Sequence, residues 1–405
     1  MRKLRIMALI CVCVLLLGGC QPFASLLSPL TEDTYDADKY HTEFIHRWQY
    51  QQLSAEEQRY YGCLYTAITD TKGIETHVAM VDENQQSVER PGIRVALPGA
   101  TLNNDSITRL YEAFFADNPQ FFYLDRTYSM EGRPQIGGET YYNALILSYT
   151  LSATERIQAE EALQAVVEDI IANCPDGKDT YETERYLHDR LISLCTYDTA
   201  AAENDTAAAP NAYTAYGALV EGKAVCEGYA KAMQLLLQKV SIPVTLVTGT
   251  AKENNESHMW NMVTINGENY HLDPTWDDSN DWIQHTFFNL TTEMVKASCV
   301  IENAESLPLC TATKDNAFVR NNTVIDTYER QVIAQTIAQR IKQGDTTIQL
   351  QFTAGKLENG ILFLKNQKLM SSMVNDHLKD SGLSMWDYEL WADHAQRVLT
   401  LIQKA

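Results

Sequence analysis

Basic residues are scarce in this chain. Against 53 Asp and Glu stand only 32 Lys and Arg in 405 residues, a formal net charge of −21. Such a surface repels phosphate backbones and anionic headgroups, so nucleic acid is not an expected partner. Gly and Pro are few as well, at 19 and 11, beside 45% hydrophobic residues. Collagen-like, low-complexity and wholly disordered chains are thereby excluded. No CxxC pair and no HExxH spacing occurs, and neither metal nor cofactor is expected. Nine Cys in a chain of this length are too sparse for a disulfide scaffold. Internal repeats are absent, and the length predicts two or three domains.

Long apolar runs are missing too, save one. Residues 1–20 read MRKLRIMALICVCVLLLGGC. As a helix, the run from Ile6 to Leu17 would reach about 18 Å into a hydrocarbon core about 30 Å thick. Behind Arg2, Lys3 and Arg5 it fits the apolar region of a signal peptide. The ending Leu17-Gly18-Gly19-Cys20 resembles the bacterial lipoprotein lipobox. That resemblance implies a lipidated Cys20 as mature N-terminus and an extracytoplasmic protein anchored to the bacterial membrane by lipid. Residues 21–40 mix Pro, Ser and acids and read as a tether. Of the six remaining Cys, Cys299 and Cys310 are the nearest candidates for a disulfide.

The acidity is uneven. Residues 20–310 hold 18 basic and 43 acidic side chains, whereas 311–405 hold 11 and 10, which points to a separate C-terminal unit. Three regions are expected: an N-terminal α/β region over 41–150, a central domain over 151–310 and a small α/β domain over 311–405. In the first, a helical face from Ile107 to Phe115 stops at Asn118-Pro119, and Phe121–Leu124 and Tyr141–Tyr149 read as strands. Their aromatic cluster is expected in the core. In the second, a capping box at Ser152 and Glu155 opens a long helix, followed by helices over 179–194 and 212–220. In the third, the pattern predicts helix, strand (346–352), helix and two strands.

The chemistry-bearing residues fall in two places. Residues 222–230 read GKAVCEGYA, and an apolar helical face with Ala230, Met233, Leu236, Leu237 and Val240 follows Cys226. A Cys at a helix N-terminus meets unpaired N–H groups and the positive end of the macrodipole, both of which favour thiolate. Lys223 is expected to add positive charge. Residues 258–275 read HMWNMVTINGENYHLDPT, two alternating runs about a tight Asn266-Gly267 turn. With Ile265 opposite Glu268, His258 falls opposite Thr275 and Asp273 opposite Trp260, all on one face. His258 and Asp273 become diagonal neighbours, an imidazole base and the carboxylate that orients it. His271 shares the face nearer the turn, where packing is expected. Asp277 and Asp278 would complete a metal site with His258 and His271, but no metal-type spacing supports it.

The segments GALVEGKAVCEGYAKAM (217–233), SHMWNMV (257–263) and YHLDPTWDD (270–278) resemble three blocks of the transglutaminase-like superfamily. The resemblance implies an α+β fold with a papain-like core, in which a nucleophilic Cys opens a helix packed on an antiparallel sheet carrying His and Asp. It assigns Cys226 as nucleophile, His258 as base and Asp273 as orienting acid, with no cofactor. It covers about 215–280, thins towards 150 and is silent on 41–140 and 311–405. The implied reaction attacks an amide or peptide carbonyl through a Cys thioester. The acyl group then passes to water, as in a peptidase or amidase, or to an amine, as in crosslinking. A protein or peptide substrate is expected. The Cys226 N–H is the expected oxyanion donor, with Tyr213 and Tyr216 as further candidates. The alternative is a surface binding or scaffold lipoprotein that keeps the fold without the chemistry.

Overall fold

The buried apolar residues Ile93, Val95, Leu145 and Leu147 of two paired strands, Ser87–Ala96 and Thr140–Tyr149, anchor the first sheet. In a computed structural model, residues 34–404 are described except 82–85, 135–137, 139, 176, 178, 205–208, 280–281 and 303. Residues 1–20, read from sequence as a signal peptide ending at Cys20, lie outside the described residues. Strands β1 (His77–Val81), β2 (Ser87–Ala96), β3 (Leu124–Pro134) and β4 (Thr140–Tyr149) form an antiparallel sheet in the order β1-β2-β4-β3. Helices Ala55–Thr71 and Asn104–Asp117 bury Leu64, Leu110 and Phe114 with Val95 and Leu147 of the sheet. The Ile107–Phe115 face is a helix, as its spacing predicts, and the aromatics are core. Phe121 differs: Pro119–Phe121 is a 3₁₀ turn, and the strand starts only at Leu124. Pro119 sets a turn dihedral there, and the turn delivers Phe121 and Tyr123 into the core. Residues 34–40, read as part of a tether, pack on this unit, where Lys39 and Tyr40 bond Asp70.

The chain divides into two compact units, Met1–Glu168 and Asp169–Ala405. The division falls inside the helix Ala153–Ala172, which starts at the expected Ser152–Glu155 box. Residues 311–405 share the second unit with the central region.

In the second unit, β5 (Thr196–Tyr197) and β6 (Lys223–Ala224) form a short parallel pair. Strands β7 (Val244–Ala251), β8 (Ser257–Ile265), β9 (Glu268–Leu272) and β10 (Cys299–Ile301) form an antiparallel sheet in the order β10-β7-β8-β9. At its hairpin, Asn266 and Gly267 take φ of 52° and 83°, and Ile265 faces Glu268. Positive φ at both turn residues suits the right-handed twist of the strands. Helix Cys226–Lys239 lies on this sheet, where Asn261 Nδ2 donates to the Ala230 carbonyl over 2.9 Å. The helix expected at 212–220 is instead a 3₁₀ turn (Pro210–Tyr213) and a π turn (Gly217–Glu221). The chain doubles back so closely that a Cβ on Gly217 would stand 2.0 Å from the Asn211 oxygen.

A third sheet joins β11 (Val324–Ile325), β12 (Thr347–Phe352), β13 (Tyr388–Asp393) and β14 (Val398–Gln403) in the order β11-β12-β14-β13. Helix Arg330–Lys342 buries Ile337 against Leu350 and Leu399. The single later helix expected from sequence is two, Leu357–Lys365 and Gln367–Leu378, because the Asn366 side chain caps the second. Cys299 and Cys310 are separate buried thiols, so the expected candidate disulfide is not formed. Cys299 enters β10 while both backbone groups of Cys310 are held by Thr292. No described helix is long and apolar enough to cross a membrane.

Candidate active site

The segment before Cys226 is tied down from two sides. Thr196 N–H donates to the Gly222 carbonyl, Asp198 N–H to Ala224 and Val225 N–H to Ala212. Val225 is extended and serves as N-cap without a side-chain acceptor, so Cys226 is the first helical residue of an end that no Val225 side chain caps. Gly228 permits the fit, because a Cβ there would lie 2.5 Å from the Ala212 oxygen. Cys226 is half-buried. Burial raises Cys195 and Cys299 to about 12 and Cys310 to about 11, which keeps those thiols protonated and inert. Lys223 does not bring an uncommitted positive charge to the site, since it pairs with Asp198 at 3.2 Å.

His258 reaches the site from β8, opposite Gly249 of β7. Its Nε2 lies 2.6 Å from Asp273 Oδ2, and both residues are buried. Cys226 is near enough to the same imidazole to act on its charge, and with Nε2 engaged by Asp273, Nδ1 is the nitrogen left for it. Burial opposes a charged ring here. The Asp273 charge and hydrogen bond, with Cys226 behind them, outweigh it and raise His258 to about 10. The site therefore favours an imidazolium. Trp276 stacks on the ring at 4.3 Å and 11°, and Trp260 lies nearly parallel at 5.7 Å.

Asp273 arrives differently from the hairpin expectation. The register of β8 and β9 is as predicted, but pairing ends at Asn261 and Leu272. Asp273 is instead the N-cap of a one-turn helix, Pro274–Asp277, so Thr275 does not face His258 across a ladder. Pro274 has no N–H to extend the pairing and suits the first helical position. Oδ1 of Asp273 accepts from Thr275 and Trp276 N–H at 3.0 and 3.2 Å, which leaves Oδ2 for His258.

The remaining sequence candidates are occupied elsewhere. His271 accepts the Trp260 indole N–H at 3.0 Å and touches Thr292, and burial lowers it to about 4, a neutral packed ring. Asp278 accepts the Tyr229 hydroxyl at 2.6 Å, and Asp277 accepts Phe287 N–H at 2.9 Å. The metal grouping of His258, His271, Asp277 and Asp278 is therefore not assembled. Tyr213 donates to the Ala201 carbonyl, and Tyr216 is the N-cap of the π turn. Sequence reasoning missed Trp276 and Tyr197. The second is raised to about 12 by burial and then by neighbouring Cys226. Its only local signal is the short β5 segment, which gains meaning once paired with β6. A group of buried His188 with partly buried Asp189 and His285 was missed as well, having no motif.

Residues 164–283, which hold Cys226, His258 and Asp273, match the model of the transglutaminase-like superfamily. Among solved structures, a TGase crystal structure is similar at 14% identity and TM-score 0.27, over 45% of this chain and 51% of that one. A candidate cysteine protease from Cytophaga hutchinsonii is similar at 14% identity and TM-score 0.23, over 38% and 63%. The chain thus spans about half of the first and under two thirds of the second. No curated protein matches it. Its second unit carries a transglutaminase-like core within an α+β fold.

Proposed function

We propose that this protein is a cysteine-dependent acyl-transfer enzyme in which Cys226 is the nucleophile, His258 the acid–base and Asp273 the orienting carboxylate. The 2.6 Å bond between His258 Nε2 and Asp273 Oδ2, beside a Cys that opens a helix, carries the reading. Cys226 Sγ⁻ adds to an amide or peptide carbonyl, and the oxyanion is met by N–H groups of the helix's first turn. The His258 imidazolium passes its proton to the leaving amine as the C–N bond breaks, leaving a thioester and a neutral ring. That ring then removes a proton from water or an amine, which attacks the thioester and restores the thiolate–imidazolium pair. Water makes the enzyme a peptidase or amidase, and an amine makes it a crosslinking enzyme. Protein or peptide substrates follow from this chemistry. The lipobox-like LGGC motif supports a lipid anchor at Cys20 and an extracytoplasmic site at a bacterial membrane.

The test is labelling by an electrophilic amide or ester probe. The expected adduct sits on Cys226 and disappears in Cys226→Ala, and His258→Ala slows acylation on the order of 10³-fold. Labelling that ignores both substitutions favours the scaffold reading. For the acceptor, surface proteomics scores new termini against new isopeptide links.

A further inference from the structure

Away from Cys226, one group of side chains among the described residues converges its ligand atoms. His188 Nδ1 lies 2.9 Å, and His285 Nε2 2.7 Å, from the same oxygen, Asp189 Oδ1. All three atoms fall within 4.8 Å of one another. We propose that His188 Nδ1, Asp189 Oδ1 and His285 Nε2 bind a divalent transition-metal ion, with Zn²⁺ the best match to the donor set.

Two imidazoles and one carboxylate suit zinc, whereas Ca²⁺ and Mg²⁺ take oxygen ligands. Bonds of about 2.0–2.2 Å place tetrahedral ligand atoms about 3.3 Å apart. The two His–Asp189 spacings need to open only slightly to admit the ion, and the two imidazole nitrogens already lie within 4.8 Å of each other. Each imidazole would ligate through the nitrogen now aimed at Asp189, so any proton held there leaves to solvent on binding.

The surroundings supply the outer contacts that a metal-bound His requires. His188 Nε2 lies 3.3 Å from Asp277 Oδ2, both side chains fully buried, and Asp277 Oδ1 is held by Phe287 N–H. The pair stands at ion-pair distance without hydrogen-bond geometry, and a small rotation that closes it gives the metal–imidazole–carboxylate arrangement that orients a ligating ring. His285 is fixed through its backbone, whose N–H donates to Gln349 Oε1 over 2.9 Å. Arg185 stands 3.7 Å from the other oxygen of Asp189, Oδ2. His285 and Arg185 also line a cleft of about 330 Å³, which gives the ion an entry path and room for water as a fourth ligand. The ion would join helix Thr180–Leu194 to the loop that follows Pro274–Asp277, the turn capped by Asp273.

The test uses the full chain in detergent, stripped of metal and carrying Cys226→Ser to remove the half-buried thiol as a competing ligand. It is titrated with Zn²⁺ by calorimetry and with Co²⁺ by absorption. The expected result is one ion per chain, proton release on binding, and Co²⁺ d–d bands without a thiolate charge-transfer band. His285→Ala lowers affinity on the order of 100-fold and Asp277→Asn about tenfold, with folding of each checked by circular dichroism. Asp189→Asn is the second ligand variant, since both Asp189 and His285 are only partly buried and their loss spares the core. No binding by the Cys226→Ser protein, a thiolate-type Co²⁺ spectrum, or undiminished binding in both His285→Ala and Asp189→Asn overturns the site.

Discussion

At the scale of single residues, Asp273 has two tasks that draw on different oxygens. Oδ1 caps the turn Pro274–Asp277, and Oδ2 holds His258. The imidazolium is raised to about 10 from an ordinary 6.5, with burial opposing and Asp273 and Cys226 prevailing. A group raised on folding contributes stability that is complete below its unfolded value and is lost as pH climbs through the folded one. The difference in thermal midpoint between the parent and Asp273→Asn should therefore be largest near pH 6 and shrink towards pH 10. A difference that stays constant over that range would leave Asp273 only its capping role. His258, Asp273 and Cys226 were legible because each lies in a short motif, and the Asn266-Gly267 turn sets the hairpin register. Trp276 was not, since its stacking on His258 needs the one-turn helix that Pro274 begins.

Among the elements, the hairpin separates stability from chemistry. Gly267 sits at φ 83° at the end remote from His258, with no atom within 4 Å of where a Cβ would be. Gly267→Val should cost about 1–3 kcal/mol through backbone strain alone. The expected outcome is a lower thermal midpoint with an unchanged alkylation rate at Cys226 in the folded protein. A fall in that rate would mean that the turn sets the position of His258. The helix start at Ser152 was legible because its polar cap announces it, whereas the caps at Ser54 and Asn103 were passed over. The irregular turns over 210–221 were not legible, because their shape answers to the close passage of Gly217 past Asn211.

For the whole molecule, the charge break near residue 311 is not where contacts thin out. Asn289 Nδ2 donates to the Asp315 carbonyl, Asp315 N–H to the Tyr270 hydroxyl, and Asn316 Nδ2 to the Phe288 carbonyl. A chain ending at 310 strips these partners from buried groups around β9, each unmade bond costing about 1–3 kcal/mol. Thermal unfolding and probe labelling should show a lowered midpoint and weakened Cys226 acylation, whereas parent-like values would make 311 a true boundary. At the other end, Cys20→Ala should release the protein from membranes or block its processing, as fractionation would show. Unchanged attachment would refute lipidation there.

By itself the sequence determined the transglutaminase-like core, the three residues of the proposed site and the hairpin register, because these are local: a turn dipeptide, a helix start and a period of two. The proposed address is read from the same kind of local signal, since its basic start, apolar run and LGGC ending are contiguous. Only the tertiary structure decided that Asp273 caps a helix instead of ending a strand and that Tyr197 neighbours Cys226. Tertiary structure alone also joined His188 and Asp189 to His285, 96 residues further on in the case of Asp189. Those contacts join segments distant in the chain through burial and through hydrogen bonds that must be satisfied once water is excluded. No periodicity records them, because each partner satisfies its own local pattern without the other.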